Sequence, residues 1–334
     1  MRHPGISSLT HTGLECILAR MRILGLILTL AIIVPTSSCQ TAPQPHNTPW
    51  TQQQSQPAPR KVPTHRQPRQ TFHSNSLVPA KPLSSPRGIA PQPDCAAVCV
   101  IDPRTGRVIY AHNAHTRRQV ASTQKIMTAL CICDAGNLNK MVTVAAADTK
   151  EPPIKLGLKP GTSYRRGDLL KVMLTGSYND VAVTLARDAA GSVEAFAERM
   201  NARARRMRMY DSHFVNPNGL PAEQYSTAYD MALAACYAYN NPTIRRCINI
   251  PEFTFHMADG TPRTIRSTNK LLKSHPWVQG MKTGYTNAAG KCLISCASAN
   301  GQSVIVVVLG STSTKIWGES LKYLRWALNL PANA

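Results

Sequence analysis

Strand-like runs occur near both ends of the second part of this chain, and helical patterns lie between them. Residues 95–113 hold two apolar runs separated by Pro-Arg-Thr-Gly, which predicts a β-hairpin. From Trp277 onward three more such runs alternate with turn signals, and Asn300-Gly301 is typical of a two-residue hairpin turn. Because these strands must pair to bury their apolar faces, we predict an α+β fold with one antiparallel sheet of about five strands.

The region between the strands is expected to form a mainly helical inserted subdomain. A further amphipathic helix over residues 315–330 closes the chain. Ser192 stands where the N-cap of one of the inserted helices is expected. Apolar residues recur at helical spacing in five segments between the strands: 122–135, 167–177, 180–191, 192–209 and 226–239.

Composition divides the chain near Pro93. Residues 40–93 are dense in Pro, Gln, Ser and Thr and carry almost no aliphatic periodicity, so we expect a disordered linker. Residues 94–334 alternate apolar runs with turns, and they are numerous enough to bury one sizeable core. We therefore expect a single globular domain behind a long leader.

Residues 1–39 have the form of a secretory signal. From Met21, the predicted true start, one arginine precedes an apolar stretch that is too short to span a membrane. The run from Thr36 to Cys39 resembles a lipoprotein processing site, where the cysteine is lipidated and becomes the new terminus. By the same resemblance, Gln40 favours outer-membrane sorting. The alternative is an ordinary cleaved signal in which Cys39 is incidental.

These N-terminal features predict where the protein works. We expect an exported protein at the periplasmic face of the cell envelope, in contact with the membrane only through a lipid on Cys39. In that case the Pro-rich linker is a tether for the globular domain.

The charge of the chain is strongly basic. Lys and Arg number 38 against 17 Asp and Glu, and residues 1–94 hold only nine of the bases and two of the acids. A basic domain suits a polyanionic neighbourhood, such as nucleic acid, anionic lipid headgroups or an anionic wall polymer. Export disfavours nucleic acid, so we expect no nucleic-acid partner.

The cysteines show no metal-binding spacing, and we expect neither a metal nor an organic cofactor. In an exported protein Cys236 and Cys247 are the nearest candidates for a disulfide. Buried free thiols are the alternative. The cysteines of the globular part are Cys95, Cys99, Cys131, Cys133, Cys236, Cys247, Cys292 and Cys296.

Three short motifs carry the candidate chemistry. They are Ser-Thr-Gln-Lys at 122–125, Ser-Tyr-Asn at 177–179 and Lys-Thr-Gly at 282–284. Singly each motif is weak evidence, because Ser-Thr-Asn-Lys at 267–270 also satisfies the first and the second pattern. Their value lies in their order along the chain.

Acyl transfer by a serine explains why these residue types would occur together. The hydroxyl of Ser122 needs a base, and one helical turn brings Lys125 onto the same face. Burial and a second cation, for which Lys282 is the candidate, would lower the pKa of Lys125 towards the operating pH. Gly284 would keep the third motif's strand smooth enough for a peptide to lie against it.

In order and spacing the motifs resemble the penicillin-binding protein and serine β-lactamase superfamily. The segments ASTQKIMTAL, SHFVNPNGL and MKTGYTNAAGKCLISCAS, with others, resemble the low-molecular-weight D-alanyl-D-alanine carboxypeptidases over nearly all of residues 94–330. The resemblance implies the β-lactamase/transpeptidase-like fold and a D,D-peptidase domain at 94–334. It also implies peptidoglycan stem peptides as substrates and β-lactams as covalent inhibitors. We expect a monomer.

Carried over residue by residue, the resemblance implies a role for each motif position. Ser122 would be the nucleophile and Lys125 its base, Ser177 would relay the proton, and Asn179 would hold Lys125 and the substrate amide. Three further residues would bind substrate: Lys282 and Thr283 at the terminal carboxylate, and Tyr285, whose backbone amide would join that of Ser122 in an oxyanion hole.

The chain departs from the family pattern at several points. Tyr178 stands where these carboxypeptidases have glycine, and it either narrows the cleft or supplies a hydroxyl. Lys315 is the nearest cation to the position of the family's carboxylate-binding arginine. The chain ends at the final helix, so we expect no C-terminal β-rich domain or membrane anchor.

Rival functions remain open within and outside the superfamily. A D,D-endopeptidase that cuts peptidoglycan cross-links would use the same residues. A class A β-lactamase is disfavoured because no Glu-x-x-Leu-Asn stretch follows the second motif. An inactive wall-binding module is the alternative from another class.

Several other features have simple structural interpretations. We expect Asn-Pro-Asn-Gly at 216–219 to be a fixed turn and not a contact of the site. The arginines within 203–208 are expected on a solvated helix face, and His112 and His115 on the surface.

Overall fold

A computed structural model describes residues 81–334, and the predictions for the signal, Cys39 and most of the linker lie outside these residues. Nine strands and eight α-helices follow one another in the described part. The strands are β1 (Ala97–Ile101), β2 (Val108–His112), β3 (Met141–Thr143), β4 (Ser163–Arg165), β5 (Glu252–His256), β6 (Pro262–Arg266), β7 (Val278–Thr286), β8 (Gly290–Ala299) and β9 (Gln302–Ser311). The helices are α1 (Lys125–Asp134), α2 (Arg166–Gly176), α3 (Asn179–Ala190), α4 (Val193–Arg206), α5 (Ala228–Asn240), α6 (Pro242–Ile248), α7 (Leu271–Ser274) and α8 (Ile316–Ala327).

The two ends of the domain form one five-stranded antiparallel sheet in the order β2-β1-β9-β8-β7. This confirms the predicted α+β fold. The β8–β9 turn is formed by Asn300 and Gly301, whose positive φ angles of 53° and 72° suit a tight hairpin. Strand β7 lies at one edge of the sheet, so one of its sides is not paired with another strand of that sheet.

Both faces of the sheet are covered. On one face Cys99, Ile305 and Val307 pack with the inserted helices, among them α1 and α5. On the other face Val306 and Val308 pack with Tyr323 and Leu324 of α8, among other residues. This double burial explains the continuous run Val304–Leu309 in β9, since a strand with one solvated face would alternate apolar and polar residues.

The predicted helices of the inserted region correspond to α1 to α5. Helix α4 begins after Ser192, whose hydroxyl accepts a hydrogen bond from the Ala195 amide at 3.1 Å, as an N-cap does. Gly136, with φ 66°, follows the end of α1. Sequence periodicity misses α6 and the short hairpins β3–β4 and β5–β6, because each element is too short to show a period.

Residues 81–93 correct the predicted boundary of the linker. They have no regular secondary structure, but they pack against the domain instead of lying free of it. Leu83 is buried in the cluster beneath α8, and its amide donates to Asp102 at 3.1 Å. The Tyr323 hydroxyl donates to the Pro91 carbonyl at 3.0 Å. The ordered part of the chain therefore begins at least 13 residues before residue 94.

The eight cysteines of residues 81–334 are all free thiols, so the Cys236–Cys247 disulfide is wrong and the alternative is correct. Six of the eight are buried. Burial raises the pKa of the Cys99 thiol to about 12, which keeps it protonated and unreactive at neutral pH. None of the helices within residues 81–334 is long and apolar enough to cross a membrane.

The packing of Leu83 predicts a measurable contribution of residues 81–93 to stability. Leu83 is 3% exposed, so Leu83→Ala should lower the free energy of unfolding by about 2–3 kcal/mol. Urea denaturation followed by circular dichroism measures the change. The control is Ile89→Ala in the same segment, where a 90% exposed side chain should cost less than about 0.5 kcal/mol. Equal effects of the two substitutions would contradict the packing of this segment.

Candidate active site

The first motif lies where a 3₁₀ turn, Ala121–Gln124, runs into α1. The turn replaces the first helical turn expected from the sequence, and Lys125 is the first residue of the α-helix. The Lys125 amine Nζ lies 2.9 Å from the Ser122 hydroxyl Oγ. The predicted proximity of the Ser122 hydroxyl and the Lys125 amine is therefore present in the structure.

The amine of Lys125 is fully buried and has three oxygen partners. It donates to Ser122 Oγ at 2.9 Å, to Asn179 Oδ1 at 2.9 Å and to the Asn218 carbonyl at 2.6 Å. These partners come from the 3₁₀ turn, the second motif and the 216–219 turn. A lysine ammonium has three N–H donors, so each of them is satisfied.

The surroundings of Lys125 lower its pKa well below the ordinary value. Burial is the largest cause, because it penalises the charged form, and the nearby cation of Lys282 is the second. The carboxylates of Glu151 and Asp180 act in the opposite direction. The result is an amine that can exist without its proton, which a general base requires.

The second motif forms the corner between α2 and α3. Ser177 ends α2 in the left-handed conformation, with φ 67°, and its side chain is largely buried. Asn179 begins α3, and its amide Nδ2 donates to the carbonyls of Pro152 at 3.4 Å and Pro153 at 3.1 Å. These bonds orient the carboxamide so that Oδ1 points to Lys125.

Tyr178 folds back over the preceding helix. A Cβ atom on Gly176 would lie 2.2 Å from the tyrosine ring, so the ring occupies the space that this glycine leaves. Partial burial raises the pKa of the Tyr178 hydroxyl. The ring packs against the edge of the hydrophobic core.

The third motif lies on the edge strand β7. Lys282 is fully buried and its Nζ donates to the Thr283 carbonyl at 3.0 Å, while burial lowers its pKa to about 7. A Cβ atom on Gly284 would lie 2.9 Å from the backbone nitrogen of Ser122. Only a glycine allows the strand to approach the nucleophile this closely. Tyr285 is 55% exposed, with Lys291 Nζ 3.9 Å from the centre of its ring.

The turn at 216–219 is part of the site, so the expectation of a turn without site contacts is wrong. The Asn218 carbonyl accepts from Lys125 at 2.6 Å and from the Ser122 hydroxyl at 3.2 Å. A Cβ atom on Gly219 would lie 2.1 Å from the Ala121 carbonyl oxygen. Gln124 donates from Nε2 to the Asn216 carbonyl at 2.5 Å and holds the turn from the other side.

Sequence reasoning also missed Thr268 and Glu151. Thr283 donates from Oγ1 to Thr268 Oγ1 at 2.6 Å, which connects the third motif to the 267–270 segment. Glu151 accepts from Asn218 Nδ2 at 2.6 Å. The Asn-Pro-Asn-Gly pattern predicts the turn at 216–219, but nothing in the sequence marks the contact of this turn with Ser122.

The competing Ser-x-x-Lys pattern at 267–270 does not form a comparable pair. Ser267 Oγ accepts from the Asn269 amide at 3.2 Å, and Lys270 is exposed. Lys315, the expected substitute for the family's arginine, forms an ion pair with Asp94 at 2.9 Å, and both side chains are more than half exposed.

The other surface predictions are mostly confirmed. Arg205, Arg206 and Arg208 are exposed, whereas Arg203 is partly buried and pairs with Asp134 at 3.1 Å. His115 is exposed and His112 partly so.

Comparison with known proteins agrees with this geometry. A sequence model described as D-alanyl-D-alanine carboxypeptidase matches residues 86–313, which is more than half of the chain. The chain belongs to this family. The resemblance drawn from the motifs is confirmed, and with it the assignment to the serine-type hydrolases.

Relatives within the family carry two kinds of name. The D-alanyl-D-alanine carboxypeptidase DacF of Bacillus subtilis is 32% identical over 66% of this chain, which spans 59% of the length of that relative. The carboxypeptidase DacC of Escherichia coli is 35% identical over 71% of this chain and 62% of its own length. A D-alanyl-D-alanine endopeptidase of Pseudomonas aeruginosa is 32% identical over 71% of this chain and 79% of its own length.

Solved structures of family members share the fold. The carboxypeptidase DacD from Francisella tularensis has a TM-score of 0.69 and 31% identity, and 73% of each chain is covered. The Streptomyces K15 DD-transpeptidase also has a TM-score of 0.69, at 28% identity, over 73% of this chain and all of its own. The transpeptidase-like fold is therefore confirmed.

The close approach of Gly219 to the nucleophile's turn generates a prediction. Gly219→Ala should push the 216–219 turn away from Ser122 and reduce the rate of penicillin acylation by at least about 100-fold. Labelling with a fluorescent penicillin measures the rate.

Gly191 is the matched control, because its φ of +90° resembles the +83° of Gly219 but nothing lies within 4 Å of an added Cβ. Gly191→Ala should cost about 1 kcal/mol of stability through strain and leave the acylation rate unchanged. Similar acylation by the two variants would show that the contact with Ala121 has no part in the site.

Proposed function

We propose that this protein is a serine D,D-carboxypeptidase that removes the terminal D-alanine from peptidoglycan stem pentapeptides through an acyl-enzyme on Ser122. The observation that carries the proposal is the buried Lys125 amine 2.9 Å from the Ser122 hydroxyl. A buried amine with a lowered pKa can take the serine proton at the moment of attack.

Acylation begins with the substrate lying along the outer edge of β7. An edge strand offers unpaired backbone groups to an extended peptide, as in β-strand addition. In the proposed pose Lys282 and Thr283 bind the terminal carboxylate, and Asn179 binds the backbone amide of the substrate. The glycine at 284 leaves room for the scissile carbonyl close to Ser122.

The chemical step follows from this pose. Lys125 takes the proton of Ser122 while the oxygen attacks the carbonyl carbon of the penultimate D-alanine. In our proposal, the backbone amides of Ser122 and Tyr285 stabilise the negative oxygen of the tetrahedral intermediate. Lys125 gives this proton to Ser177, which passes its own proton to the leaving nitrogen, and free D-alanine departs. Water then attacks the ester carbonyl while Lys125 takes a proton from it. Lys125 returns that proton to the Ser122 oxygen as the ester bond breaks, and the shortened stem peptide leaves as the carboxylic acid.

β-Lactams fit the same scheme as covalent inhibitors. Their carboxylate and strained amide would occupy the positions of the D-Ala-D-Ala terminus. Ser122 would open the ring and remain acylated for long, because the ring nitrogen stays bonded to the acyl fragment and cannot depart as D-alanine does.

D,D-endopeptidase activity is the second candidate. Relatives named D-alanyl-D-alanine endopeptidase, from Pseudomonas aeruginosa and Escherichia coli, are each 32% identical to this chain. The bond broken again follows a D-alanine, so the same Ser122 chemistry applies. The two activities differ in what lies beyond that bond: a free D-alanine in one and a cross-linking side chain in the other.

For the envelope context we propose export, with Cys39 lipidated and residues 40–80 as a tether at the periplasmic face of the membrane. The sequence pattern around Cys39 and the membership of a cell-wall peptidase family support this. We further propose that the protein acts as a monomer on its wall substrate.

The main proposal predicts D-alanine release from a pentapeptide that ends in D-Ala-D-Ala. Ser122→Ala should abolish release, because it removes the hydroxyl that lies 2.9 Å from the Lys125 amine. Ser267→Ala, which alters the competing Ser-x-x-Lys pattern, should leave release unchanged. Coupled assay of free D-alanine measures both, and release by a folded Ser122→Ala protein would defeat the assignment.

Cross-linked muropeptide dimers separate the two candidate activities in the same preparation. Chromatography should show dimers persisting while pentapeptide monomers lose D-alanine. Conversion of dimers to monomers without release of free D-alanine would favour the endopeptidase.

The proposed lipid tether predicts that replacing Cys39 changes the cell fraction in which the protein is found. Cys39→Ala should move the protein from the membrane to the soluble envelope fraction, because a thioether-linked lipid needs the cysteine sulfur. Fractionation followed by immunoblotting measures the distribution. Ser38→Ala is the matched control and should stay membrane-bound. Unchanged membrane association of Cys39→Ala would refute the tether.

A further inference from the structure

Glu151 connects two loops that meet at the nucleophile. Its carboxylate Oε2 accepts from Asn218 Nδ2 at 2.6 Å, while the backbone carbonyl of the same asparagine accepts from Lys125 and from Ser122. We propose that Glu151 is a positioning residue for acylation, which holds Asn218 so that its carbonyl keeps the serine hydroxyl and the lysine amine together. This inference rests on the function proposed above.

The loop that carries Glu151 is itself firmly held. The next two residues, Pro152 and Pro153, accept from the Asn179 carboxamide, and the Asn179 amide donates to the Ile154 carbonyl at 2.8 Å. Farther along, the amides of residues 156–158 donate to the Asp180 carboxylate at 2.9–3.2 Å. These hydrogen bonds fix the loop that carries Glu151 against the second motif.

Asn218 has little freedom once Glu151 is in place. The residue is 2% exposed, its Oδ1 accepts from the Leu220 amide at 3.0 Å, and its Nδ2 donates to Glu151. Without Glu151 this buried Nδ2 would lose the partner that the structure gives it, which costs free energy and favours rotation of the side chain. Loss of this anchor would also leave the backbone of the 216–219 turn less firmly held, and a shift of that backbone would displace the carbonyl that accepts from Lys125.

The charge of Glu151 gives the contact a second consequence. The charged groups that face Lys125 are Lys282 from β7, Asp180 from α3 and Glu151 from the loop. The carboxylate of Asp180 is engaged by the backbone amides of residues 156–158, in the loop that follows Glu151, and by the Val181 amide of its own helix. Glu151 is thus the carboxylate that a substitution can neutralise with little disturbance of the backbone.

Two variants separate the hydrogen bond from the charge. Glu151→Gln keeps an oxygen acceptor for Asn218 and removes the charge, whereas Glu151→Leu removes both. Glu198→Gln is the matched control, since it neutralises an exposed carboxylate on α4. The readout is the rate constant of Ser122 acylation by a fluorescent penicillin, measured across pH.

The sign of the expected shift follows from the charges. Acylation needs neutral Lys125, so its rate rises with pH through the pKa of that amine. The Glu151 carboxylate favours the protonated amine, and Glu151→Gln should therefore move the acidic limb of the pH–rate profile to lower pH. Its plateau should stay within about threefold of the wild-type plateau. Glu151→Leu should show the same shift and a plateau reduced by at least about tenfold.

The outcomes distinguish the inference from the function on which it rests. The result for Glu198→Gln should match the wild type. Wild-type profiles for both Glu151 variants would overturn the inference alone. If Glu151→Leu fails to fold, Glu151→Ala replaces it, because it also removes the acceptor for Asn218, and a wild-type plateau for that variant overturns the proposal. A wild-type protein that no penicillin labels would reject the proposed function, and this inference with it.

Discussion

The burial of the Lys125 amine is the constraint on which the rest of the site depends. An ammonium group taken out of water is costly unless oxygen atoms replace its hydration, and here three acceptors from three separate segments do so. The same burial lowers the pKa of the amine, so one arrangement both stabilises the buried lysine and favours its neutral form. None of these segments could move far without leaving a buried polar group unpaired. The positions of these segments are therefore fixed as much by the need to replace the hydration of the amine as by packing.

The hydrophobic core fixes the positions of the elements that carry these polar residues. Helix α1 packs on the sheet face opposite to α8, and β7 is paired on its inner side by β8. Two glycines, Gly219 and Gly284, then allow backbone to approach backbone at the turn that carries Ser122. A side chain at either position would clash with the backbone of the turn that carries Ser122. The close approach of loop, turn and strand is thus possible only with these residues.

The parts of this structure that could be predicted from the sequence are those marked by a periodic pattern of apolar residues or by a characteristic spacing of motif residues. The sheet, its Asn300-Gly301 turn and helices α1 to α5 follow from apolar periodicity, and the pairing of Ser122 with Lys125 follows from helical geometry. The Asn218 carbonyl could not be predicted, because every residue has a carbonyl and only the tertiary structure decides where it points. Glu151 lies in an irregular loop with no period. Residues 81–93 look unfoldable by composition, yet they pack because α8 offers them an apolar surface at Leu83.

The position of residues 81–93 also determines on which side of the domain the chain enters. They join the structure on the α8 face of the sheet, whereas the motif residues gather around α1 and the outer edge of β7. The chain therefore enters the described domain on its α8 side, away from the motif residues. A pull on the chain at residue 81 would therefore load the contacts of Leu83 and Tyr323 before it reached the motif residues.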